Sequence, residues 1–294
     1  MVAAAGTRRV EDEVVLITGA TAGLGQAVVS ALAANGATVL VHGRDQVRGE
    51  AVVAALRQAT GNDRVAFYSA DLASLAAVRR LTERVSAEHE RLTVLVNNAG
   101  VGRGGSPRQL SVDGYELRFA VNYLAPVLLT RLLVPLLVSS APARVVNVAS
   151  ATQAAVDFAD PLLRDGYDGG RAYGQSKLAL IMFTFDLADE LADSGVSVNC
   201  VHPASRMPTR MTRTAGVASR DSLEAGLHAT LRLALAGDLA TVSGRYFDRL
   251  REGDCHPQAY DPAAPRRLRR LTEDLLHAAS DGGGSQLIGR RVAG

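Results

Sequence analysis

Residues 14–25 read V-V-L-I-T-G-A-T-A-G-L-G, and the fold is decided here. The apolar run Val14–Thr18 is strand-like and passes straight into glycines at 19, 23 and 25. Gly25–Asn35 follows with Ala-rich helical spacing and stops at Gly36. Glycines let a chain turn tightly and approach a pyrophosphate, which the next helix holds through its free N–H groups and its dipole. Three glycines alone are a weak signal, since any tight strand-to-helix turn uses them. Working outward, Thr38–His42 reads as a strand and Arg48–Ala59 as a helix. Arg64–Ser69 alternates, and Leu75, Val78, Leu81 and Val85 give Ser74–Glu90 one apolar helix face. Thr93–Val96 is a buried strand, Tyr115–Val138 a long apolar helix, Arg144–Ala149 a strand, Tyr173–Leu191 a helix and Val196–Val201 a sixth strand. Strands apolar throughout and separated by helices predict a parallel sheet covered on both faces. The expected fold is α/β, a doubly wound parallel sheet, in a single domain over residues 1–279. The Gly-rich tail 280–294 reads as disordered.

Composition excludes several classes. Of 294 residues, 47% are hydrophobic and 21% charged, an ordinary globular balance that rules out a disordered, collagen-like or coiled-coil chain. Thirty-two basic against 30 acidic side chains leave +2, too even for a nucleic-acid binder. Cys200 and Cys255 are too few for a disulfide scaffold and read as reduced thiols. They and His89, His228, His256 and His277 lack ligand spacing, so no metal is expected. Leu124–Val138 is interrupted by Arg131 and Pro135 and falls short of the roughly 20 residues a membrane span needs. The opening M-V-A-A-A-G-T-R-R-V-E-D-E has acids where a signal peptide would be apolar. No integral membrane segment is expected, and the expected compartment is the cytoplasm.

Thirty-one of the 32 basic residues are Arg; the single Lys is Lys177. It lies four residues after Tyr173, on the same helix face. A free phenol titrates near pH 10, and a nearby ammonium favours the phenolate. An ammonium is also a compact donor for a ribose hydroxyl, which a guanidinium fork is not. Ser150 ends the fifth strand, at the sheet edge where open parallel sheets bind ligands, and can hydrogen-bond a carbonyl or a developing alkoxide. A serine there is ordinarily a turn or cap residue; Tyr173 tips the balance to function. The second strand ends His42-Gly43-Arg44, where an acidic residue would select NAD. Arg44 can instead pair with a 2′-phosphate, which favours NADP(H) over NAD(H). Asp45 could compete, but fits better as the N-cap of the next helix.

T-G-x-x-x-G-x-G at 18–25, Asp71-Leu72, Asn97-Asn98-Ala99-Gly100, Asn122, Ser150 and Tyr173-x-x-x-Lys177 occur in the order of the short-chain dehydrogenase/reductase family. The chain resembles that family over about residues 10–250. The resemblance implies a Rossmann-type fold, with Asn122, Ser150, Tyr173 and Lys177 catalytic and Asn122 holding a water for proton relay. It implies cofactor contacts from Gly19, Thr21, Gly23, Leu24, Gly25, Arg44, Asp71, Leu72, Asn98, Ala99, Gly100, Tyr173, Lys177 and Pro203. Twenty-two residues separate Ser150 from Tyr173, against the usual dozen. That insertion, with the ending at 243–261, looks like the retinol-dehydrogenase-like branch. Ala204 stands where the family usually has Gly, which constrains the loop after Pro203.

The expected activity is NADP(H)-dependent interconversion of a carbonyl and an alcohol, with Tyr173 as acid and base. Segments 151–171 and 204–228 are expected to form active-site lids. Val156, Phe158, Leu162, Leu163, Met207 and Met211 make them apolar, either for a bulky lipophilic, polycyclic or secondary-metabolite substrate or simply as core. Family habit implies a homodimer or homotetramer through the helices of Asn122 and Tyr173. Two other classes stand beside this: an epimerase or dehydratase that uses bound nicotinamide without net redox change, and a cofactor-binding regulator without chemistry.

Overall fold

The computed structural model describes residues 9–103 and 107–280. Of the tail expected to be disordered, Ser280 closes a helix and 281–294 lie outside the described residues.

Eight strands form one sheet: β1 (Val14–Ile17), β2 (Thr38–Gly43), β3 (Val65–Ser69), β4 (Val94–Asn97), β5 (Ala143–Val148), β6 (Val196–His202), β7 (Tyr246–Asp248) and β8 (Arg251–Glu252). Their spatial order is β3-β2-β1-β4-β5-β6-β7-β8, all parallel except the last pair. The doubly wound sheet expected from the sequence is therefore present, extended by two short strands. Helices α1 (Gly23–Ala34), α2 (Gln46–Thr60) and α7 (Leu223–Leu235) bury their apolar sides on one face. Helices α3 (Leu75–Glu88), α4 (Leu117–Ser139), α5 (Gly169–Glu190) and α8 (Ala263–Ser280) cover the other. A short α6 (Arg210–Thr214) lies in the segment after β6. Strands buried on both sides are mostly apolar without alternation, as in β1, β4 and β5, and their buried polar residues Asn97 and Asn147 hydrogen-bond each other.

Caps set the helix starts. The Asp45 carboxylate accepts the Arg48 N–H at 3.1 Å, the N-cap expected of it. Asp168 accepts the Arg171 N–H at 2.6 Å, so α5 starts at Gly169 and Tyr173 sits one turn inside rather than at the end.

Helix α4 runs 23 residues, and its Ala120–Leu124 stretch is a wider π turn. By length and apolarity it could cross a membrane, which corrects the expectation that no segment reaches that length. Two thirds of its most apolar window (67%) is buried in this fold, so its apolar surface is spent on the core.

Helix α8 has no counterpart in the expected elements. It packs on α4 and α5, with Leu268 fully buried. Arg269 pairs with Asp186 on α5, the Tyr123 hydroxyl meets Thr272 Oγ1 at 2.5 Å, and the Tyr115 hydroxyl donates to the Leu275 carbonyl at 2.6 Å. The chain's own C-terminal helix thus covers part of the α4–α5 face, and a cavity of about 120 Å³ remains beneath it. Truncating Leu268 removes its anchor. Leu268→Ala is expected to cost about 2–5 kcal/mol, and limited proteolysis should cut within 263–280 faster than it does in the native protein.

Candidate active site

The strand order reverses between β1 and β4, and the turns leaving these two strands are sewn together. The Thr18 N–H donates to the Val96 carbonyl at 3.0 Å, and Thr18 Oγ1 accepts the N–H groups of Asn98 and Ala99, each at 3.0 Å. In return Asn98 Nδ2 donates to the carbonyls of Thr18 (2.8 Å) and Gly19 (3.2 Å). Gly19 has φ +64° and lies so close to Ala99 that a Cβ would sit 2.8 Å from its Cα. A Cβ on Gly25 would stand 2.5 Å from the Gly19 carbonyl oxygen. Thr21 packs on Gly43 at the end of β2, and Leu24 is buried below. Gly19, Thr21, Gly23, Leu24, Gly25, Asn98 and Ala99 are thereby brought into one cradle at the N-terminus of α1. Its bare backbone and free helix N–H groups fit a dinucleotide pyrophosphate.

Arg44 and Asp71-Leu72 leave the neighbouring ends of β2 and β3, joined by the Ala70 N–H on the Gly43 carbonyl at 3.1 Å. The Arg44 side chain is exposed, and Asp45 is turned to its cap, so the two do not compete. His42, which sequence reasoning passed over, supports this cradle from inside. Its Nδ1 accepts the Gly19 N–H at 3.2 Å, and its Nε2 meets the Ala70 carbonyl at 3.1 Å. These partners require the neutral ring with its proton on Nε2, and burial holds its pKa down at about 4.

The catalytic candidates meet at the ends of β5 and β4. Tyr173 lies near enough to Ser150 for that side chain to draw its phenol toward ionisation. Ser150 Oγ also accepts the Thr152 N–H at 3.0 Å. Lys177 Nζ donates to the Val148 carbonyl at 2.7 Å and lies 5.9 Å from the Tyr173 ring centre. Burial lowers Lys177 to about 8. Asn122 stands in the π turn of α4, a geometry often found at functional sites. Its Oδ1 accepts the Val101 N–H at 2.7 Å, and its Nδ2 donates to the Val101 carbonyl and Ser176 Oγ at 3.1 and 3.0 Å. Both amide hydrogens are therefore used inside the protein, and Asn122 fixes the chain after Gly100. Gly100 faces both Asn122 Oδ1 and Lys177 Nζ. Pro203 follows directly on β6 and is buried.

One electrostatic expectation is corrected. The Tyr173 phenol is held above its ordinary value, because burial outweighs the nearby Ser150 side chain and Arg103 guanidinium, which both pull it down. Lys177, its ammonium turned to Val148, is not among those influences.

The two expected lids differ. Val156, Leu162 and Leu163 are buried, the first two within the main core, and Phe158 packs against that core under Arg267. Met207 joins the opposite core cluster. Of the six apolar residues, Met211 alone lies over the site, against Gly102 and near Gly100. Thr209, a second residue sequence reasoning missed, sets its methyl over Gly23. Segment 204–228 thus lies across the cradle. Its base is closed by the Ser205 N–H on Asp221 at 2.7 Å and by Arg249 on the same carboxylate at 2.7 Å.

Comparison with known proteins agrees with this geometry. A family model described as short chain dehydrogenase matches residues 13–218. Retinol dehydrogenase 13 of Mus musculus is 37% identical over 277 residues, covering 88% of this chain and 82% of that protein. Retinol dehydrogenase 12 of the same organism is 35% identical, covering 91% and 87%. Among solved structures, an uncharacterised protein from Mycobacterium paratuberculosis superposes with a TM-score of 0.73 at 30% identity, covering 90% and 94%. The RhlG/NADP active-site complex from Pseudomonas aeruginosa does so at 0.66 and 29%, covering 82% and 97%. The chain belongs to the short-chain dehydrogenase family, in its retinol-dehydrogenase-like branch, an oxidoreductase family with nicotinamide cofactors.

His42 makes the cradle sensitive to acid. Unfolded, the ring binds a proton below its ordinary 6.5; folded, only below about 4. Between these values the unfolded chain holds more protons, so this contribution is intact above pH 6.5 and lost as pH falls to 4, about 3 kcal/mol in all. Urea unfolding across pH 7 to 4 should show that fall in the native protein and a correspondingly smaller one in His42→Asn.

Proposed function

We propose that this short-chain dehydrogenase interconverts a carbonyl and an alcohol on a bulky lipophilic substrate with NADP(H). The observation that carries the proposal is the convergence of Tyr173, Ser150 and Lys177 at the carboxyl edge of the sheet, next to the glycine cradle. A nicotinamide bound in that cradle supplies or accepts the hydride. In the reducing direction the Tyr173 hydroxyl gives its proton to the substrate oxygen, and the Ser150 hydroxyl hydrogen-bonds the same oxygen as negative charge develops. A phenol kept protonated by burial is in the form this step needs. Lys177 Nζ, with one hydrogen on Val148, has two left for the cofactor ribose and for the phenolate that remains. Asn122 positions Val101 and, with it, the floor at Gly100.

The retinol dehydrogenases among the relatives support a lipophilic substrate, as does Met211 over the site. Arg44, exposed and without Asp45 against it, supports NADP(H). The cytoplasm stays part of this reading, supported by the burial of helix α4. Self-association as a homodimer or homotetramer through α4 and α5 would use the part of that face that α8 leaves open.

Tyr173→Phe is expected to lower kcat about 10²- to 10⁴-fold while NADPH still binds, in stopped-flow turnover and fluorescence titration. Full turnover by that variant would refute the mechanism. Arg44→Glu should lower the kcat/KM ratio of NADPH to NADH by about 10- to 100-fold, the worth of one charge-assisted contact. A native enzyme that prefers NADH would overturn the cofactor assignment.

A further inference from the structure

Among the described residues, Arg103 is a cation at the mouth of the site with no carboxylate partner. Its side chain is exposed, yet it turns inward: one guanidinium nitrogen donates to Thr152 Oγ1 at 2.6 Å. Thr152 in turn gives its N–H to Ser150 Oγ at 3.0 Å, so Arg103 stands two hydrogen bonds from the hydroxyl that faces the substrate oxygen. It is also near enough to Tyr173 for its charge to be felt by the phenol.

The backbone of Arg103 is placed by buried charge. Arg118, at the start of α4, donates from Nε to the Gly102 carbonyl at 2.8 Å and from a terminal nitrogen to the Arg103 carbonyl at 3.0 Å. Arg118 is itself paired with Glu116, both almost fully buried, and Tyr167 from the 151–171 insertion hydrogen-bonds both. Burying an ion pair costs several kcal/mol that its mutual attraction repays only in good geometry. Here that cost holds residues 102 and 103 in place, where a generic surface arginine would need no such support. A guanidinium carries five N–H donors in a fork that matches a carboxylate or phosphate. Thr152 takes one of the five. The lid adds Arg210 and Arg213 on α6, either side of Met211, for which no carboxylate partner is seen among the described residues.

We infer that the substrate is an anionic amphiphile, with a lipophilic body under Met211 and an acidic group bound by Arg103 beside the Thr152–Ser150 turn. This rests on the carbonyl-reductase reading and adds to it a specificity-determining residue. Arg103 touches neither the reacting carbonyl nor the cofactor cradle, so its removal should cost a charged substrate far more than a neutral one.

The test compares benzoylpropionate with its methyl ester, one ketone with and without the negative charge. The native enzyme should use the acid with kcat/KM about 10- to 100-fold above the ester, mostly through KM. Arg103→Gln should abolish that preference, costing the acid about 10- to 100-fold more than the ester, and Arg103→Lys should restore part of it. Calorimetry with the NADP⁺ complex reads the same site without turnover, so the acid should bind tighter than the ester and lose that advantage in Arg103→Gln. Equal loss for acid and ester in Arg103→Gln, with a shifted pH profile, would mean that the guanidinium acts on Tyr173 alone, and the anion site would fall. Equal native binding of acid and ester would overturn it as well. Acid-selective binding without NADPH oxidation would keep the anion site and strike the reductase reading instead.

Discussion

The site hangs from one reciprocal pair of side chains. The Thr18 hydroxyl oxygen accepts two backbone N–H groups after β4, and the Asn98 amide donates to two carbonyls after β1. Parallel strands leave the sheet with unpaired backbone groups, and at the reversal of strand order two such ends diverge. Thr18 and Asn98 pair those groups with each other instead of with water. The glycine turn then rests against Ala99 at a distance that excludes a side chain, and the chain at Gly100 passes on to Asn122 and Lys177. Cofactor cradle and catalytic floor are therefore two sides of one knot.

The first six strands are legible in the sequence because a strand buried on both faces carries its apolar character by itself. The Tyr173–Lys177 pair is legible for a similar local reason: four residues of helix bring two groups to one face whatever surrounds them. The π turn around Asn122 has no local signature, since it depends on what the Asn amide finds in the neighbouring turn at Val101. Arg118 and Tyr167 lie 49 positions apart, so their pairing cannot be read from spacing. Helix α8 is a nearer miss. Leu268, Leu271 and Leu275 follow helical spacing after Pro265, but four arginines between 266 and 270 make the stretch look like surface.

Apolar character in an insertion says little about what it faces. The segment 151–171 looks like a greasy lid, yet Val156 and Leu162 belong to the core, and the insertion reaches the site through polar groups, Thr152 and Tyr167. Burial of the phenol and of the ammonium likewise pushes both toward neutrality, against the charged pair that spacing alone suggests. Desolvation outweighs the pull of Ser150 and Arg103 on the phenol, and it lowers the ammonium, whose acceptor is the uncharged Val148 carbonyl.

A chain with one lysine carries a single side-chain amine, and that amine sits beside Tyr173 and Gly100. With its pKa lowered to about 8, a good share of it is the free base at mildly alkaline pH, though it is buried. Acylating or reductively alkylating reagents, which scatter over dozens of sites on an ordinary protein, would find one side chain here. The extent of that labelling becomes a gauge of how often the buried amine meets solvent, read by mass on the intact protein with no substrate in hand.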